Sequence, residues 1–150
     1  MTDRAEALRE RLLATFRMEA DEHLRGLATD LEAITSDSGA GAAERLERIF
    51  RAMHTLKGAA RSVGIAEFEA AAHRCESVIE ELVRKEGAPD AGRLRLLQDA
   101  VDVLAAFVAG SVGAERLAAV GNVAAAAPAA APVPAAAGTG ERLAPAAARA

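Results

Sequence analysis

Apolar side chains recur at three- and four-residue spacing in four separate stretches of this chain, and that rhythm limits the fold more than any other feature. Leu13, Phe16, Ala20, Leu27, Leu31 and Ile34 line one stripe of a helix predicted from about Asp3 to Ile34, which runs into the Ser/Gly cluster TSDSGAG. Leu46, Ile49, Met53, Leu56, Ala60 and Val63 form a second stripe, on a helix from about Ala42 to Val63. It stops at Gly64, the residue type favoured just past a helix end. A third helix, from about Ala66 to Glu86, turns Phe68, Ala72, Cys75, Ile79 and Leu82 inward and ends at EGAPD. Asp90 is suited to N-cap a fourth helix, which carries Leu94, Leu97, Val101, Leu104 and Val108. Amphipathic helices joined by short links can bury their stripes only against one another. The expected fold is therefore all-α, an antiparallel four-helix bundle over residues 1–122 with room for a short fifth helix around 114–120.

The rest of the sequence agrees with one small domain. Ala, Leu, Glu and Arg dominate, and runs of strand-favouring residues are missing. Residues 123–150 contain four of the five prolines with little but alanine between them, which reads as a linker or disordered tail. A net charge of −4 and only four aromatic residues, all Phe, argue against nucleic acid as a partner. The charged start MTDRAEALRERLL is no signal peptide, and the apolar stretch near residue 110 is interrupted by Glu115 and Arg116; no membrane partner is expected and the location expected is cytoplasmic. The single cysteine, Cys75, rules out an internal disulfide and lies on an apolar stripe as an inert core thiol.

The segment MHTLKGAARSVG is the exception to ordinary surface chemistry. At about 100° per residue, His54, Lys57, Gly58 and Arg61 share the side of the second helix opposite its core stripe, with Arg51 and Glu47 completing the face. A mid-helix glycine costs about 0.5–1 kcal/mol relative to alanine. Gly58 lies one turn from His54, where a side chain is expected to crowd the imidazole, so the cost makes sense if something approaches that ring. A neutral imidazole nitrogen is a competent nucleophile near neutral pH, and phosphorylation would bring about two negative charges to the helix surface. Lys57, Arg51 and Arg61 are placed to offset them. On the third helix His73 and Glu76 share the edge of the polar stripe with Glu69 and Glu80. If that edge abuts the His54 face, Glu76 could accept a hydrogen bond from one nitrogen of His54, fixing the tautomer and leaving the other nitrogen to attack.

FRAMHTLKGAARSVG followed by AAHRCESVIEEL resembles the histidine phosphotransfer (HPt) domains found at the N-terminus of CheA-type chemotaxis kinases and of related hybrid sensor kinases. The H-[ST]-x-K-G core and the downstream H-x-x-E both match, and FRMEADEHLRGLATDLEAI is similar to the family's first helix. The resemblance, over about residues 8–108, implies that His54 is the phosphoryl acceptor, Lys57 a phosphate-side cation and Gly58 the clearance residue. It implies that His73 and Glu76 support the imidazole by hydrogen bonding. It further implies a phosphoryl carrier rather than a kinase in its own right: charged by a histidine kinase ATP-binding domain, discharged to the aspartate of a response-regulator receiver, and binding no cofactor, with ATP and Mg²⁺ on the partner domains.

Other readings stand beside this one. Arg51 and its neighbours could form a plain solvated face paired with Glu44 and Glu47, and Phe50 could be packing or an apolar contact for a docking partner. His73 could be structural, and His23 reads as a boundary residue of the first helix. A metal-binding bundle enzyme needs Glu-x-x-His on two helices, whereas His73 and Glu76 run in the opposite order, so no metal ligands are expected. A structural or adaptor bundle without chemistry leaves Gly58 and the one-sided clustering unexplained.

Overall fold

Four helices account for most of the chain: α1 Thr2–Ser36, α2 Ala42–Val63, α3 Ala66–Arg84 and α4 Ala91–Val108. A fifth, α5, covers 114–120. The computed structural model describes residues 2–36, 41–85 and 88–120, and among these there is no strand. The Ala/Pro-rich stretch at 123–150, the middle of TSDSGAG and Glu86 lie outside the described residues.

Helix ends follow from backbone chemistry. Gly64 adopts φ 78°, a left-handed conformation that glycine enters without a Cβ penalty. Its N–H donates to Arg61 O at 3.2 Å and that of Ile65 to Ala60 O at 3.0 Å, so two carbonyls at the end of α2 are satisfied within a two-residue link. Asp90 caps α4 as its sequence suggests, Oδ1 accepting from Gly92 N at 2.9 Å. Helix α3 ends at Arg84, earlier than Glu86, where Lys85 becomes extended.

The pairing is antiparallel. On α2, residue 54 meets residue 76 of α3, and two turns further along, residue 61 meets residue 69. Between α1 and α2 the carboxylate of Asp30 is clamped by two guanidinium groups. Arg48 donates from Nη2 to Oδ1 at 2.8 Å and from Nε to Oδ2 at 3.3 Å, and Arg45 Nη1 donates to Oδ1 at 3.1 Å. The hydrogen bond from Arg48 lowers the Asp30 pKa most; burial opposes it, and the charges of both arginines add to the lowering.

Phe16, Leu24, Leu27, Leu31, Ile49, Met53, Leu56, Phe68, Ile79, Leu97 and Leu104 are all nearly or wholly excluded from water. Phe68 meets Phe16 edge-on at 5.3 Å between ring centroids and Phe107 at 6.0 Å, and α5 buries Leu117 and Val120. Three positions depart from the predicted stripes. Leu13 and Val63 are only half-buried, being near the same end of the bundle, and Leu24 takes a core place in α1. At 35 residues against 22 for α2, α1 outruns its neighbour; its first turns, with Leu8 and Leu12, are exposed.

Candidate functional site

Packing of α2 dictates where its polar residues emerge. Met53 is fully buried, and its neighbour His54, about 100° around the helix, projects outward with its side chain 65% exposed. On α3 the fully buried Cys75 carries the next residue, Glu76, into the seam between the two helices. Glu76 is buried, unlike Glu80 at the same edge, which is exposed and 3.7 Å from Arg84.

Both Glu76 oxygens are used. Oε2 lies 2.5 Å from His54 Nδ1, and Oε1 accepts from Lys57 Nζ at 2.7 Å. Burial is the largest influence on the Glu76 pKa and raises it. The hydrogen bonds from Lys57 and His54, together with the charges of both, outweigh burial and hold the carboxyl below its ordinary value. An ionised carboxylate can only accept, so Nδ1 must carry the hydrogen. In the neutral ring the lone pair is then on Nε2, at the opposite edge, and an exposed imidazole with that tautomer fixed is equipped for nucleophilic attack.

The lowered values at Glu76 and Asp30 make stability depend on pH in one direction. Each carboxylate contributes stability that is fully present above the unfolded value near about 4 and is lost as pH falls through the lowered folded value. Urea midpoints should stay level from neutrality to about pH 5 and fall below it, and Asp30→Asn should flatten the fall. An acid limb of unchanged steepness in that variant would remove Asp30 as a source.

Lys57 turns toward α3 and is 22% exposed, its ammonium resting on Glu76 in the seam. His73 does not join the network as a hydrogen-bonding support of the imidazole. Its Nδ1 stands 3.8 Å from Glu76 Oε1, beyond hydrogen-bond reach, because that oxygen is drawn to Lys57 across the seam. His73 is exposed and lines a shallow cleft with Lys57, Arg61, Ala66, Glu69 and Ala70. Arg51 lies 3.8 Å from Glu47 one turn away and Arg61 3.4 Å from Glu69, both with exposed side chains, as solvated-face residues do. His23 is exposed on α1, in a groove it shares with Arg48 and Arg51. Cys75 is inert, burial pushing its thiol up to about 12.

Gly58 corrects one expectation. A Cβ built at this position meets nothing within 4 Å, so alanine would not crowd the imidazole, and the open space faces outward. Gly58→Ala should therefore stabilise the fold by about 0.5–1 kcal/mol, the helix-propensity difference, read as a higher urea midpoint. A destabilised variant would mean that the position is constrained within the domain. Phe50 is half-buried and packs on the core, with its ring 6.3 Å from the His54 ring and inclined to it by only 16°.

Among the described residues no group of three or more His, Cys, Asp or Glu side chains is arranged to hold a metal ion, and no helix is long and apolar enough to cross a membrane. The Lys57–Glu76 pairing and the Asp30 clamp are not apparent from the sequence motifs. The three-residue step from His54 to Lys57, which keeps both on one side of α2, was the available sign of the first.

The Hpt domain family model matches residues 11–107. A chemotaxis protein CheA from Treponema pallidum (strain Nichols) is 30% identical over 113 residues, covering 75% of this chain and 14% of that protein. The chain thus spans about one seventh of that relative's length, and no solved structure matches it. A helical bundle with an exposed histidine braced by a carboxylate from the next helix, matched by the family model along most of its described length, is accounted for in one way: this chain belongs to the Hpt family of histidine phosphotransfer domains, which serve phosphorelays.

Proposed function

We propose that this domain is a phosphoryl carrier of a chemotaxis-type phosphorelay, charged on His54 by a kinase ATP-binding domain and discharged to the aspartate of a response-regulator receiver. The observation that carries the reading is the 2.5 Å contact between Glu76 and Nδ1 of an imidazole that remains largely exposed. The Nε2 lone pair attacks the γ-phosphorus of ATP held by the kinase. A P–N bond forms, the bond to the β–γ bridging oxygen breaks, and ADP leaves. The ring keeps its Nδ1 hydrogen and becomes an imidazolium, whose charge the ionised Glu76 offsets. In the second step a receiver carboxylate oxygen attacks phosphorus and the P–N electrons return to Nε2. The leaving group is then neutral imidazole, so the phosphoryl group stays transferable.

The domain's own residues supply the nucleophile and its orientation; ATP and Mg²⁺ belong to the partners, and the setting is the cytoplasm. The open space over Gly58 gives a partner's active site room to reach the ring. Arg51 and Arg61, exposed on either side of His54, lend positive charge to the docking face, and Arg61 with His73 frames the cleft beside it. The Lys57 ammonium 2.7 Å from Glu76 argues against the metal-enzyme alternative, since a cation at that carboxylate would be repelled.

The test is incubation with ATP, Mg²⁺ and a CheA-type ATP-binding domain, followed by mapping of the modified residue. Acid-labile phosphate on His54 is the expected result; label on another residue, or none, overturns the proposal.

A further inference from the structure

Glu76 holds the His54 ring by one point only. A ring hydrogen-bonded only at Nδ1 can still tilt through small changes of χ1 and χ2, and each tilt swings the Nε2 lone pair out of the direction of attack. Transfer to phosphorus is sensitive to such misalignment, because the reacting atoms must be about 3–3.5 Å apart with the lone pair directed along the forming bond. A second contact, against a face of the ring, would remove this freedom.

We propose that Phe50 supplies it, as a positioning residue for phosphoryl transfer at His54; the inference rests on the carrier reading above. Phe50 lies one turn before His54 on α2, where i and i+4 side chains meet. Its ring runs nearly parallel to the imidazole, 16° from it, with centroids 6.3 Å apart, within the range of offset aromatic contacts. Phe50 is itself half-buried and packed on the core, so it is a firm wall. One turn in the other direction is Gly58, where even a built Cβ would touch nothing. The imidazole therefore has an edge held by Glu76, a near-parallel, offset aromatic ring on one side, and the opposite side open for a partner.

The test uses phosphoramidate, a donor small enough to need no docking. Nε2 attacks its phosphorus, the donor's P–N bond breaks, and ammonia leaves. Phe50→Leu keeps apolar contact with the core and removes the flat face, while Phe50→Tyr keeps both. With Leu the rate at saturating donor should fall by about five- to tenfold with the half-saturating concentration unchanged, and Tyr should restore it. The His54 ring protons, shifted in the wild type by the Phe50 ring current, should move toward ordinary positions in Phe50→Leu and stay in place in Phe50→Tyr. Equal rates with unmoved ring protons, or a loss that Tyr fails to rescue, would overturn the role of Phe50. Failure of the wild type to take phosphate at all would overturn the carrier reading, and the ring-proton shifts would still decide whether Phe50 holds the imidazole.

Discussion

Glutamine at position 54 is expected to abolish acid-labile phosphorylation of this domain while leaving the bundle folded. An amide nitrogen has no lone pair available for attack on phosphorus, so loss of the imidazole removes the reaction itself. The fold should hardly notice. The His54 side chain is 65% exposed, the adjacent core is filled by Met53 and Leu56, and a glutamine NH₂ can still donate to Glu76. Thermal or urea unfolding should change by no more than about 0.5 kcal/mol, as for surface substitutions generally. Phosphate label measured alongside unfolding separates the two effects. Label that survives the substitution would move the acceptor elsewhere, with His73 the next histidine to examine.

Loss of the Glu76 carboxylate should have the second largest effect. In Glu76→Ala the imidazole can sample both tautomers and can pivot, and the imidazolium formed on phosphorylation loses its counter-charge. Transfer should slow by on the order of 10²-fold, the scale of a displaced base or its orienting group. Glu76→Gln divides the cause: its carbonyl can still accept from Nδ1, but it carries no charge. If Gln recovers most of the rate, orientation is the main contribution; if it behaves as Ala, the charge is. Either variant also leaves the Lys57 ammonium without its carboxylate, so urea midpoints belong in the same experiment. Wild-type transfer in Glu76→Ala would remove this residue from the mechanism.

Those two residues also mark how far sequence reading reaches. The bounds of α2 were legible at both ends because glycine stands at each, and Asp90 announced α4 by its capping chemistry. Most of each stripe was legible, but Leu24 in the middle of α1 was missed, and Leu13 and Val63, counted inward, are only half-buried. That His54 faces water followed from helical spacing; that Glu76 reaches it depended on α3 setting its edge against the His54 face, which it does. The burial of Glu76 did not follow from spacing, because it depends on how far α3 is rotated about its axis, which the core of the whole bundle decides. The pairing of Lys57 with Glu76 and the distance of His73 from it were not legible, for one shared reason. Each reads correctly against its own helix, but the Lys57 ammonium crosses the seam to Glu76 Oε1 and leaves His73 without that oxygen.

The two-residue passage from α2 to α3 bears on the chemistry some ten residues away on either side. With Gly64 and Ile65 tied to the carbonyls of Arg61 and Ala60, the third rod is geared to the second like a key to its shaft. Lengthening that link would loosen the coupling and let α3 shift against α2, weakening the hold of the carboxylate on the imidazole while every apolar residue remained in the chain. The meeting of Glu76 with His54 is thus a matter of phase between two cylinders, set by their shared core and steadied at a link that touches neither residue.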